Sequence, residues 1–149
     1  MNINIQKETL EQPLSQIIGV VEKRQTLPIL GNVFLELKQN RLTLIGSDLE
    51  TEITTRVDNV GGEDGKTTVS ARKLFDICRS LPSESQLSLI VEEDNKMVVK
   101  AGKSRFSLQT LSAIDYPRLE ETQWQQEFSL SQKQLNSLLT RTSFSMAQQ

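Results

Sequence analysis

Three carboxylates at alternate positions, Asp48, Glu50 and Glu52, have the spacing in this sequence that comes nearest to a reactive site. On one face of a strand they could work as an acid–base pair or hold a hard cation. A solvated strand face accounts for them more simply. Cys78, the single cysteine, could be a nucleophile. It falls on the apolar stripe of a helical segment, however, and reads as a small core residue. The run Gly61-Gly62-Glu63-Asp64-Gly65-Lys66-Thr67 has the glycines and the lysine of a phosphate loop. It lacks the G-x-x-x-x-G-K-[ST] spacing, and a strand pattern follows it where a helix is needed. The sequence contains no histidine. That removes the commonest general base and, with one cysteine, the usual zinc-ligand patterns. No catalytic constellation, metal or cofactor is expected. Tyr116 and Trp124 fall in a polar, aperiodic stretch and suit a domain junction better than a ligand pocket.

The elements around these groups follow from periodicity. Ile3 and Ile5 alternate in a short strand. Leu10, Leu14, Ile17, Ile18 and Val21 form one helical stripe, with Pro13 inside it as a bend or a late start. Val33, Leu35 and Leu37 alternate with charged residues, Gln39-Asn40 makes a turn, and Leu42 and Leu44 line the return strand. Leu49, Ile53 and Val57 mark a third strand, and Gly61–Gly65 a polar connection. The same grammar then returns. A strand at 66–69 leads into a helix from Ala71 to Leu81, stopped by Pro82, and three strands follow around 87–91, 97–101 and 106–110. Residues 112–126 read as a linker, 127–130 as a strand, and 132–146 as a helix.

These strand-to-helix starts superpose. Leu10, Leu74 and Leu135 each lie five residues beyond a strand end, at separations of 64 and 61 residues. The pattern is strand–helix–three strands, twice, then the opening of a third unit. It predicts an α+β fold in which two helices cover one face of an antiparallel sheet. The first domain would span 1–120. Residues 121–149 would hold the linker and the first strand and helix of an incomplete second domain, so a fragment of a longer protein is expected.

At 149 residues and 36% hydrophobic the chain can bury a core, and with 5% aromatics that core must be aliphatic. One cysteine, no secretory leader and no bilayer-length apolar run lead to the expectation of a cytoplasmic protein away from membranes. The net charge is −2. Its distribution is more telling. The three helical windows 7–24, 71–80 and 131–146 hold eight cations against four carboxylates, whereas the remainder holds nine against fifteen. Such helices could face a polyanion through phosphate contacts alone, independently of sequence. Ordinary solvated helix faces account for the same tally.

Six segments together resemble the bacterial DNA polymerase III sliding-clamp (beta subunit) family. They are Thr26-Leu-Pro-Ile-Leu-Gly-Asn32, Leu42-x-Leu-x-Gly-x-Asp-Leu-Glu50, Ala71-Arg-Lys-x-Phe-Asp-Ile-Cys-Arg79, Gly102-x-Ser-Arg-Phe-Ser-Leu108, Asp115-x-Pro117 and Phe144-Ser-Met-Ala147. The resemblance implies a DNA-clamp fold and a non-catalytic processivity factor. In that family two head-to-tail chains of three domains close a ring, with helices lining the hole around duplex DNA. Arg24 and Gln149 then match DNA-contacting positions, with Arg72 and Arg79 as further pore candidates. Lys73, Ile77, Lys103, Arg105, Phe106 and Leu108 match the edge that meets the second clamp chain. The implied partners are duplex DNA, that second chain, and the clamp loader and DNA polymerases, the last two through domains beyond this sequence. A chain of this length is expected to be monomeric or to self-associate non-natively, and not to encircle DNA. Two other readings are open. A stand-alone helix-on-sheet domain would need a cavity for a small hydrophobic ligand. A thiol or carboxylate enzyme would need a pocket at Cys78 or Asp48.

Overall fold

The computed structural model describes residues 1–21, 27–119 and 126–146. The chain divides into two units, Met1–Leu119 and Glu120–Gln149. In the first, β1 (Asn2–Gln6) runs directly into α1 (Lys7–Ile17). Strands β2 (Asn32–Lys38), β3 (Arg41–Ser47), β4 (Glu52–Val57) and β5 (Gly61–Glu63) follow. Strand β6 (Gly65–Ser70) runs into α2 (Ala71–Ser80), then β7 (Gln86–Glu92), β8 (Lys96–Ala101) and β9 (Ser104–Leu111). All pairings are antiparallel, in the order β4-β3-β2-β6-β9-β8-β7-β1-β5. This is the α+β architecture expected from the repeat.

Each half lends its first strand to the other. Strand β1 pairs with β7, placing Ile3 opposite Leu89 and Ile5 opposite Leu87. Strand β6 pairs with β2 in the matching register, Thr67 opposite Leu35 and Val69 opposite Val33. Leu10 and Leu74 are each the fourth residue of their helix, and both are fully buried. Alternation along the strands and the i, i+4 stripes of the helices deliver one shared aliphatic core that includes Leu14, Leu35, Leu44, Cys78 and Val99. Each such leucine contributes roughly 1.5–3 kcal/mol on burial.

The halves differ in their last strand. Strand β9 is continuous, pairing with β8 over Ser104–Gln109 and then with β6 at Thr110 and Leu111. Its counterpart is broken. Strand β4 pairs with β3, the chain kinks at Asp58-Asn59-Val60, and β5 resumes against β1. Asn59 adopts a left-handed φ of 61° and Val60 turns its side chain into the core. The expectation of a free polar connection at Gly61–Gly65 is therefore corrected. Gly61–Glu63 is a strand because the backbone of β1 offers it hydrogen-bond partners. Glycine allows the approach: a Cβ on Gly62, at φ 149°, would lie 1.9 Å from the Asn2 carbonyl oxygen.

Three further boundaries differ from expectation. Helix α1 ends at Ile17 instead of running towards residue 24, and tolerates Pro13 in its interior. Residues 127–130 form no strand; a strand needs a neighbour to accept its ladder, and none is described for them. Helix α3 (Gln132–Thr142) stops short of 146, with a 3-10 turn at Ser143–Ser145. Its start is well defined: Ser131 and Gln134 form a reciprocal capping box. Leu135, Leu138 and Leu139 along it are 47–60% exposed.

Candidate nucleic-acid and subunit interfaces

Helix α2 buries Ala71, Leu74 and Cys78 and turns the opposite side to solvent. Ser70 caps it, its hydroxyl accepting from the Lys73 amide at 3.4 Å, and Arg79 sits in its last turn, where the helix dipole favours a cation. Arg72, Lys73, Asp76 and Arg79 are all exposed. Arg72 and Arg79 are seven residues apart, two turns and roughly 10 Å along the axis. The Arg79 guanidinium lies 5.7 Å from the centre of the Phe75 ring, which steadies it without neutralising it. Among the described residues no carboxylate forms an ion pair with Arg72, Lys73 or Arg79.

Helix α1 offers a different face. Glu8, Thr9, Gln12, Ser15 and Gln16 are exposed. Lys7 is buried to 9% exposure and held 3.5 Å from Glu11. The Glu8 carboxylate accepts the Glu84 amide at 2.9 Å, and that bond, with help from its own amide and the nearby Lys7 charge, lowers its pKa against a small opposing desolvation. So the described part of α1 presents no free cation. The positive surplus expected of all the helices sits instead on α2 and on α3, which carries Lys133 and Arg141. Arg24 and Gln149 lie outside the described residues.

The other candidate set gathers at β9. Between Ser104 and Gln109 this strand is paired with β8 on one side only; among the described residues nothing occupies the other. Side chains alternate across it. Arg105 is exposed and lies 3.5 Å from Glu92, while Phe106 packs half-buried on the core and Leu108 is buried at 7% exposure. Leu108 is thus support beneath the edge, not surface. Helix α2 packs on β2, β6 and β9, with Ile77 against the core and Lys73 in solvent. Lys103 is exposed in the β8–β9 turn, beside Gly102 at φ 54°.

The reactive groupings come apart. Asp48 is not on a strand: its Oδ1 accepts the amides of Glu50 (2.9 Å) and Thr51 (2.6 Å), closing the β3–β4 turn. Glu50 is exposed and Glu52 begins β4, tied to Arg118 at 3.1 Å. No metal-binding cluster occurs among the described residues. Cys78 is fully buried, and burial pushes its thiol up to about 12, unfit for nucleophilic work at neutral pH. Among the described residues, the space between helices and sheet is occupied by Leu10, Leu14, Ile17 and Leu74, all at 0% exposure. A groove of about 510 Å³ between α1 and β4 is lined mainly by polar side chains such as Glu8, Gln12, Gln16 and Arg56. Tyr116 packs on the outer face of the first unit's own sheet; Trp124 lies outside the described residues. Arg118 was invisible to sequence reasoning, because its partner Glu52 is 66 residues away. No described helix is long and apolar enough to cross a membrane.

The first unit is thus a duplicated helix-on-sheet domain with a basic helix face and, among the described residues, an unpaired stretch of strand edge. The chain belongs to the DNA polymerase III beta subunit family: residues 1–120 match that family's N-terminal domain. It is 50% identical to the beta sliding clamp of Pseudomonas aeruginosa and 45% identical to that of Escherichia coli K12, covering 100% of this chain and 41% of each relative. Among solved structures, a P. aeruginosa sliding clamp bound to griselimycin superposes with a TM-score of 0.93 at 50% identity, and the Caulobacter crescentus pol III beta with 0.93 at 31%. These matches cover all of this chain and 40% and 41% of those chains. The chain therefore spans about two fifths of the length of the relatives it matches.

Proposed function

We propose that this chain serves in a sliding clamp, an accessory and non-catalytic factor that surrounds duplex DNA without reading its sequence and holds a DNA polymerase on it. The observation that carries this reading is the exposed pair Arg72 and Arg79, without an ion-pair partner among the described residues, on a packed, capped helix. Cations spaced along a helix with no base-reading loop beside them suit a smooth track of phosphates. Arg24 and Gln149 join Arg72 and Arg79 as proposed DNA contacts. In the same reading residues 1–120 are the first clamp domain, and 121–149 the linker and opening of the second.

The edge of β9 is the proposed meeting place with a second clamp chain. Its unfilled hydrogen-bonding side would accept a strand, Arg105, Lys103 and Lys73 would supply charge complementarity, and Ile77 and Phe106 an apolar seam over Leu108. The clamp loader and polymerase are further proposed partners of the whole protein, in the cytoplasm where the chromosome is copied.

Titration of a labelled duplex at several salt concentrations tests the DNA contact. The affinity should fall steeply with salt and be equal for unrelated sequences. Replacing Arg72 and Arg79 together by alanine should flatten the salt slope by roughly 0.9 for each phosphate that is no longer neutralised. An unchanged slope, or a strong sequence preference, would overturn the assignment.

A further inference from the structure

The segment from Ser112 to Leu119 crosses the outer face of the sheet, away from the helices. It starts where β9 ends, with the Ser112 hydroxyl accepting the Ile114 amide at 3.2 Å to open a 3-10 turn over Ala113–Asp115. Tyr116, only 4% exposed, then packs on Phe34 of β2 and Ile45 of β3 in a small cluster separate from the main core. Its ring centre lies 5.8 Å from that of Phe34. Its hydroxyl proton is shared between the carbonyls of Ile45 (3.3 Å) and Asn32 (3.4 Å). Two residues on, the Arg118 guanidinium sits 5.8 Å from the centre of the same Phe34 ring and grips Glu52 of β4.

Glu52 is the convergence point. Arg118 Nε donates to one carboxylate oxygen and Nη2 to the other, both at 3.1 Å. The Leu119 amide adds a third bond at 3.2 Å, and the Thr54 hydroxyl a fourth at 3.4 Å. The Glu52 side chain is 13% exposed and that of Arg118 49%, so a sheltered carboxylate is held by a half-exposed guanidinium in a two-pronged charge pair.

We propose that residues 112–119 are a brace that fixes the point at which the chain leaves the first unit, with Glu52 as its clasp. The brace ties β2, β3 and β4 to the departing backbone as far as Leu119. Glu52 acts here as a positioning residue, whatever the whole protein binds.

The Arg118–Leu119 bond is a trypsin site, which makes the clasp measurable. Trypsin must take the Arg118 side chain into its own pocket, so cleavage requires release from Glu52. In the intact chain this bond should be cut slowly. Glu52→Ala should raise its rate by about tenfold, the order expected for loss of a charge-assisted hydrogen-bond pair, with cutting after Lys133 unchanged. A second variant, Arg118→Gln, is read by amide exchange: the Leu119 and Tyr116 amides should exchange faster while β2 and β3 keep their protection. Unchanged rates in both variants would overturn the proposal. So would acceleration that spreads equally across β2 and β3, which would make Glu52 a residue of general stability.

Discussion

Helices α1 and α2 hold equivalent places in the repeat, yet they are built for different work. Both follow directly from a strand and bury a leucine at their fourth position. Helix α2 has a side-chain cap and exposed cations on its outer face. Helix α1 has no side-chain cap at Gln6, a proline in its interior and an outer face that is neutral to acidic. The strands that follow diverge likewise, β9 continuous and its counterpart broken into β4 and β5. The core positions are the ones both halves share; the differences lie at the helix ends, on the outer faces and in the last strand. Duplication thus fixed the packing, and the exposed surfaces were left free to specialise.

That comparison can be broken at its shared part first. Leu10→Ala and Leu74→Ala each open a cavity at equivalent, fully buried sites, and each should cost about 2–5 kcal/mol. Urea denaturation followed by circular dichroism reads both. A clear inequality between them would mean that the halves carry the core unequally. The cap is a smaller test. Ser70→Ala should remove about 1 kcal/mol, while Gln6→Ala, which removes no side-chain cap at the equivalent position, should have little effect on the same denaturation midpoint.

The smallest effect is electrostatic. Glu8 has a lowered folded-state pKa, so its bond to the Glu84 amide contributes stability above the unfolded value of 4.5 and loses it as pH falls through the lower folded value. Thermal melts from pH 6 downward should therefore show a slightly shallower acid decline for Glu8→Gln than for the unaltered chain. Identical pH profiles would remove Glu8 as a source of acid sensitivity.

Much of this was legible in residue order. The apolar stripes of α1 and α2, the alternation in β2, β3 and β7–β9, and the return of the strand–helix junction depend on local periodicity, which a single sequence displays. So did the inert setting of Cys78, since it follows from its place on the stripe. The misreadings share one cause. Gly61–Glu63 became a strand, and 127–130 did not, because strand formation is decided by whether a neighbouring backbone is present. The charge tally missed in a similar way. Lys7 counted as a free cation until tertiary packing buried it against Glu11.

By itself, then, the sequence determined the repeat, the aliphatic core, the basic outer face of α2 and the apolar setting of Cys78. Tertiary structure decided which strand edges are filled, where the halves exchange their first strands, and that Asp48 and Glu52 serve a turn and a clasp. The physical reason is range. Helical faces and side-chain alternation repeat within a few residues, whereas the contact between Arg118 and Glu52 spans 66 positions and exists only once the sheet between them has formed.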